Sequence, residues 1–267
     1  MIIYLDELGK ITNFRIKRIV RKIVKQNKKE KIKLVLSENM LKIDFLIKKL
    51  QENKIEILDG RWIFRFLIYE VIDYICYCQN KDINMQNVCL LINERSEDIT
   101  QTIYCIAPKV KSFKVVTNNI NSFLSLENDL YEEYGIPIQI SNNTRKSLNK
   151  ADIIVNVDFD EELFNKYIIN PKSIVINLKN KININTKRFQ GININYYKIN
   201  YNKQILDKIE NNIQYDRNIL YESYIYRKDT YINIKNQIKK DNVKIITLIG
   251  NNGEISKDEY LKISWQI

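Results

Sequence analysis

The sequence predicts an α/β protein: a small N-terminal α/β domain, a doubly wound, mostly parallel sheet, and a C-terminal helical return. Three observations carry this. The opening segment alternates strand-length apolar runs, "MIIYLD", "KIKLVLS" and "KIEIL", with amphipathic stretches, which is a βαβαβ pattern. From residue 87 the runs "NVCLLIN", "SFKVVTN", "DIIVNVDF" and "SIVINL" are near-continuously apolar, as strands covered on both faces must be. Segments long enough for right-handed helical crossovers separate them. A chain of 267 residues, 45% hydrophobic, can bury a sizeable core and is not of disordered composition.

The elements follow in order. Over 10–29, Ile16, Ile19, Val20, Ile23 and Val24 share one helical face, with Lys and Arg around the rest. "MLKIDFLIKKLQEN" is the next helix. Asp59 and Gly60 turn the chain after the third strand, and a long helix is expected over 61–80. In the second run, helices are expected over 97–108 and 120–134, then the short "RKSLNK" and "DEELFNKYI". After residue 180 the pattern loosens, and "NINTKRFQGININYYKIN" reads as a loop with a short strand. Residues 203–240 read as helical and Tyr-rich, a candidate return to the first domain. "NVKIITLIGNNGEIS" is a strand and turn, with Ser256 capping the helix "KDEYLKI". The expected divisions are 1–60, a connecting helix over 61–85, a sheet domain over 86–200, and 201–267.

The net charge is +11 and the pI about 9.2. Nucleic acid or another anionic surface is one reading. Much of the excess sits in "KITNFRIKRIVRKIVKQNKKEKIK". The plainer reading is a solvated helix face, written in Lys by a composition already rich in Asn, Ile and Lys. "MIIYLDELGK" carries acids where a secretory start needs bases. No run reaches the roughly 18 apolar residues of a spanning helix. The expected home is the cytoplasm, with no membrane partner and reduced cysteines.

The stretch "NVCLLINERSEDITQ" has the strand–turn–helix form of a nucleotide-binding unit. Taken with "ILDGRWIFRFLIYEVIDYI", "LNKADIIVNVDF" (Asp152, Asn156) and "PKSIVINL" before "KRFQGININ", it resembles the shikimate-dehydrogenase-like branch of the NAD(P)-binding Rossmann superfamily. Glutamyl-tRNA-reductase-type domains share much of the pattern. The resemblance covers residues 55–195. It implies a Rossmann domain joined to a substrate domain, a nicotinamide cofactor, and a substrate cleft near Asp59 and Arg61. It also implies cofactor contacts at Asn93, Ser96, Asn118 and Asn156.

The departures from that family matter more. Its Gly-rich turn lets the backbone approach the pyrophosphate, but here the turn is Asn93, Glu94, Arg95, Ser96, Glu97, Asp98. Ser96 is placed to cap the next helix. Glu97 and Asp98 fall in its first turn, where they complement the helix dipole and repel phosphate. After the second strand come Thr117, Asn118 and Asn119, neither the acid of a NAD site nor the Arg of a NADP site. Lys42 and Asp44 do not match the family's catalytic Lys–Asp spacing. The chain has no His, so the commonest general base is missing. With no His and no CxxC pair, a zinc site is not expected, and Cys76, Cys78, Cys89 and Cys105 read as buried thiols.

Three functional readings follow. The first is a Rossmann-like protein that has lost standard dinucleotide binding, uses no cofactor, and binds or scaffolds a partner such as another protein. The second is an atypical NAD- or NADP-dependent oxidoreductase. The third is a basic nucleic-acid-binding protein.

Overall fold

Four buried residues, Ile153–Asn156, make up the middle of a sheet whose neighbours are equally apolar. The computed structural model describes residues 1–5, 12–185, 188–202, 204–205, 215–226 and 230–264. The chain divides into two compact units, Met1–Ile63 with Asn200–Val243, and Phe64–Ile199 with Lys244–Ile267.

The first unit holds a parallel three-stranded sheet, β1 (Ile2–Leu5), β2 (Lys33–Leu36) and β3 (Glu56–Ile57), in the order β1-β2-β3. Helices α1 (Asn13–Asn27), α2 (Glu38–Leu41) and α3 (Asp44–Glu52) connect the strands. The expected α1 periodicity is realised: Ile16, Val20 and Ile23 are buried and pack with Leu34, Leu36, Leu46 and Leu50. Thr12 caps the helix by accepting the Arg15 N–H. The other face of the sheet packs Val35 and Leu58 against Tyr215, Ile219 and Leu220. The last two belong to α9 (Arg217–Ile225), which precedes α10 (Tyr231–Lys240). This is the helical return. Residues 10–11, 203, 206–214 and 227–229 of the expected helices lie outside the described residues.

In the second unit, β4 (Asn87–Leu91), β5 (Ser112–Val116), β6 (Gln139–Ser141), β7 (Ile153–Asn156), β8 (Ile174–Asn177) and β9 (Ile192–Ile194) form one fully parallel sheet, ordered β6-β5-β4-β7-β8-β9. Numbered within the unit, this is 3-2-1-4-5-6, the doubly wound Rossmann order. Helices α6 (Glu97–Ile106), α7 (Leu124–Tyr134) and the one-turn α8 (Glu161–Phe164) cross between strands. Both faces are covered, which is why these strands read as unbroken apolar runs. Each fully buried Ile, Val or Leu contributes roughly 1.5–3 kcal/mol. The long helix expected over 61–80 is interrupted: α4 (Arg61–Phe64), a 3₁₀ turn at Arg65–Leu67, then α5 (Ile68–Gln79). Asn80 ends α5 in the left-handed region at φ 53°.

Two expectations are corrected. "RKSLNK" forms turns, with Leu148 bridged to Ile169. The segment after residue 180 is loop over the described residues up to 191 but holds two strands where one short strand was expected. It supplies β9 and then β10 (Tyr196–Asn200), which pairs with β11 (Lys244–Ile249) in a separate two-stranded sheet. Here Gly191 is obligatory, because a Cβ would lie 1.9 Å from the Ser173 carbonyl oxygen. Ser256 does cap α11 (Lys257–Ser264). Its hydroxyl accepts the Glu259 N–H, and the Glu259 carboxylate accepts the Ser256 N–H at 2.8 Å, completing a capping box.

Candidate functional site

The strand order reverses between β4 and β7, so the ends of those strands, with β5 alongside, define the crevice where ligands bind in this architecture. A pyrophosphate there would be held by backbone N–H groups of the turn after β4. Those donors already have a partner in the chain. Both carboxylate oxygens of Asp158, two residues past β7, accept the Asn93 N–H at 2.9 and 3.0 Å. One of them also accepts the Glu94 N–H at 2.9 Å. A fixed negative group thus satisfies these two N–H groups, at roughly 1.5–3 kcal/mol per charged hydrogen bond. The Asn93 side-chain oxygen accepts the Asn118 N–H at 2.9 Å, tying the end of β4 to the end of β5.

The Arg95 side chain of the turn is committed as well. Arg95 donates to the Ser122 carbonyl at 3.0 Å, the Ser125 hydroxyl at 2.7 Å and the Thr100 hydroxyl at 3.2 Å. It fastens the turn to the start of α7. Glu97 and Asp98 do occupy the first turn of α6, but Asp98 pairs with Arg65 at 3.5 Å and Glu97 is exposed. The expected Ser96 cap is corrected. Ser96 has the extended backbone of an N-cap, yet its hydroxyl makes no capping bond and is buried without a partner. The Thr100 hydroxyl instead donates to the Ser96 carbonyl at 2.9 Å.

Asn156 sits in a ladder of buried asparagines. Its amide donates to the Phe159 carbonyl at 3.1 Å and to the Asn177 oxygen at 3.2 Å, while its oxygen accepts the Phe159 N–H at 3.0 Å. Asn177 donates to the Asn193 and Asn195 oxygens at 2.8 and 3.0 Å. Asn195 donates to Asn251 at 2.6 Å. With both donors and one acceptor position engaged, and 2% of the residue exposed, this amide is turned to the fold rather than to the crevice. The matched Asp152 is also structural, accepting the backbone and side-chain N–H of Asn87 at 2.9 and 2.8 Å. Of the four expected contact residues, Asn118 keeps an exposed side chain, Asn93 uses its oxygen internally, and Ser96 and Asn156 face inward.

Asp59 and Arg61 lie in the first unit. Asp59 accepts the Arg61 N–H at 3.0 Å, and the Arg61 Nε stands 3.8 Å from its other oxygen. The left-handed Gly60, φ 79°, makes the turn between them. Sequence reasoning missed the residue beside this turn. Glu222, on α9, is 1% exposed. Its carboxyl accepts the backbone N–H groups of Ile63 and Trp62, while Oε2 has no partner. Burial, and then the charge of Asp59, push its pKa up to about 8, against the pull of those N–H groups and Lys33. The Lys33 ammonium lies 4.0 Å from the Tyr226 ring centre and bonds Glu56. Trp62 packs on Tyr226 at 4.8 Å. The available signal was an acid three residues after Ile219, on the helix face that packs the core.

Cys76, Cys78 and Cys89 are buried, and burial pushes the thiols of Cys76 and Cys89 up to about 12. Cys105 is partly exposed. A thiol-reactive probe on the native protein is therefore expected to label Cys105 first, with the other three reacting only on unfolding. Rapid labelling of Cys89, read by peptide mass, would contradict the packing of β4.

No protein-family model matches the chain, and no curated protein sequence matches it. Solved structures with a similar course include L-tryptophan dehydrogenase from Nostoc punctiforme, at 11% identity and TM-score 0.35, covering 96% of this chain and 72% of that one. A dipicolinate synthase subunit from Bacillus halodurans aligns at 11% identity and TM-score 0.34, over 55% of this chain and 51% of that one. A putative aspartate carbamoyltransferase from Trypanosoma cruzi aligns at 10% identity and TM-score 0.30, over 67% and 61%. The strand order, rather than these likenesses, carries the fold assignment. Among the described residues no helix is long and apolar enough to cross a membrane.

Proposed function

We propose that the parallel-sheet unit is a Rossmann-like domain that no longer takes a dinucleotide and serves as a non-catalytic binding or scaffolding module. One observation carries this reading: the Asp158 carboxylate occupies the Asn93 and Glu94 N–H groups at the strand-order reversal. A pyrophosphate would have to displace a tethered anion of the same charge sign, and the displaced carboxylate would stay nearby and repel it. The buried, internally bonded Asn156 and the absence of an acid or Arg at Thr117–Asn119 support the same reading.

An atypical NAD(P)-dependent oxidoreductase is the reading this opposes, and calorimetry separates the two. Titration of NAD, NADP and their reduced forms into the full-length protein is expected to give no saturable heat at millimolar ligand. Micromolar binding of any of the four would overturn the proposal and restore the oxidoreductase.

A further inference from the structure

We propose that the groove between α1 and α3 is a track for the phosphate backbone of double-stranded nucleic acid. Helix α1 reads NFRIKRIVRKIVKQN, with six cations and no carboxylate. Lys17, Arg21, Lys25 and Lys28 follow one another at steps of four, four and three, so they share one face. At 1.5 Å per residue they span about 16 Å. Together with Lys49 of α3 they line a groove of about 510 Å³, and no described carboxylate or aromatic ring lines it.

Among the described residues, the four α1-side cations make no side-chain ion pair or hydrogen bond, whereas Lys49 pairs with Glu52. Like charges three or four residues apart destabilise a helix. The same Lys-rich composition leaves acids on the neighbouring helix, where Lys49 pairs with Glu52, but none on α1. A one-sign track costs stability and pre-aligns positive charge for a polyanion. Each strand of duplex DNA presents a negative charge about every 3.4 Å of the axis, so a track of this length meets about five phosphates of one strand, matching its five cations.

The apolar stripe of α1 favours nucleic acid over a lipid surface. A membrane-surface helix inserts its apolar face, but Ile16, Val20 and Ile23 are already buried in the core of this unit. Phe14 stands exposed at the head of this face, a single ring where stacking of single-stranded bases needs a succession of them, and no described ring lines the groove itself. Binding is therefore to backbone and insensitive to sequence. The proposal rests on the first unit alone and does not depend on the dinucleotide reading.

The test is fluorescence anisotropy of the full-length protein with a labelled DNA duplex of random sequence, across a salt series. Four to five phosphate contacts predict a log–log slope of about −3.6 to −4.5. A fourfold rise in salt should weaken binding about a hundred- to five-hundredfold. The K17Q/R21Q/K25Q/K28Q variant should lose binding, while K111Q/K114Q/K146Q/K150Q, removing equal charge from the other unit, should keep it. Gln matches Lys in helix propensity, so the first variant should melt no lower than wild type. Should it fail to fold, R21Q and K25Q singly should each reduce the slope by about one. No binding at the lowest salt, equal slopes for wild type and the track variants, or binding to phosphatidylserine vesicles without duplex binding would each overturn the proposal.

Discussion

Replacing Asp158 by Ala is expected to lower the stability of the parallel-sheet unit by about 2–4 kcal/mol. Two backbone N–H donors lose a charged acceptor. The Asn93 donor is half-buried and the Glu94 donor is at the surface. The first therefore bears most of the loss, because an unpaired buried donor keeps its full desolvation penalty while an exposed one regains water. Asp158→Asn should fall between, since one amide oxygen can still accept. Urea unfolding monitored by far-ultraviolet circular dichroism gives the value. An Ala variant as stable as wild type would mean that the carboxylate does not hold the turn.

The second large effect is a pH dependence centred on Glu222. Its folded pKa, about 8, lies above the ordinary 4.5. The group therefore binds its proton more tightly folded than unfolded. The stability linked to it is fully present below about pH 4.5 and is lost as pH rises through about 8. A shift of that size corresponds to a loss on the order of 4–5 kcal/mol. Glu222→Gln imitates the protonated acid. The variant is expected to match wild type near pH 4 and to exceed it in stability at pH 9. Midpoints of urea unfolding across the pH range measure both curves. Parallel curves would show that Glu222 does not titrate in the folded protein.

The strands of the sheet were legible because coverage on both faces leaves no polar alternation, and runs such as "IIVN" and "IVIN" announce themselves. Helix α1 was legible from its 3.6-residue stripe, and the last helix from Ser256 just before it. The β9–β10 segment was not legible. Its asparagines read as loop formers, although Asn193 and Asn195 are buried and bonded through Asn177 and Ile182. An asparagine suits a strand interior only when partners saturate its amide, and those partners come from other strands. The two acids that define the candidate sites were hidden for the same reason. Asp158 meets a turn 65 residues earlier, and Glu222 meets the N–H groups of residues 62 and 63. Local pattern singled out the glycine-free turn. It assigned the blocking charge to Glu97 and Asp98, whereas Arg65 draws Asp98 aside and Asp158 takes the Asn93 and Glu94 N–H groups.

Amide resonances of Asn93 and Glu94 report most directly on whether the crevice is self-occupied. In ¹⁵N-labelled protein, both N–H signals should stay in place through a titration with NADH and then NADPH. Both should shift markedly in Asp158→Asn, where the charged acceptor is gone. Saturable movement of the wild-type Asn93 and Glu94 signals with either dinucleotide would show that the crevice still takes this class of ligand.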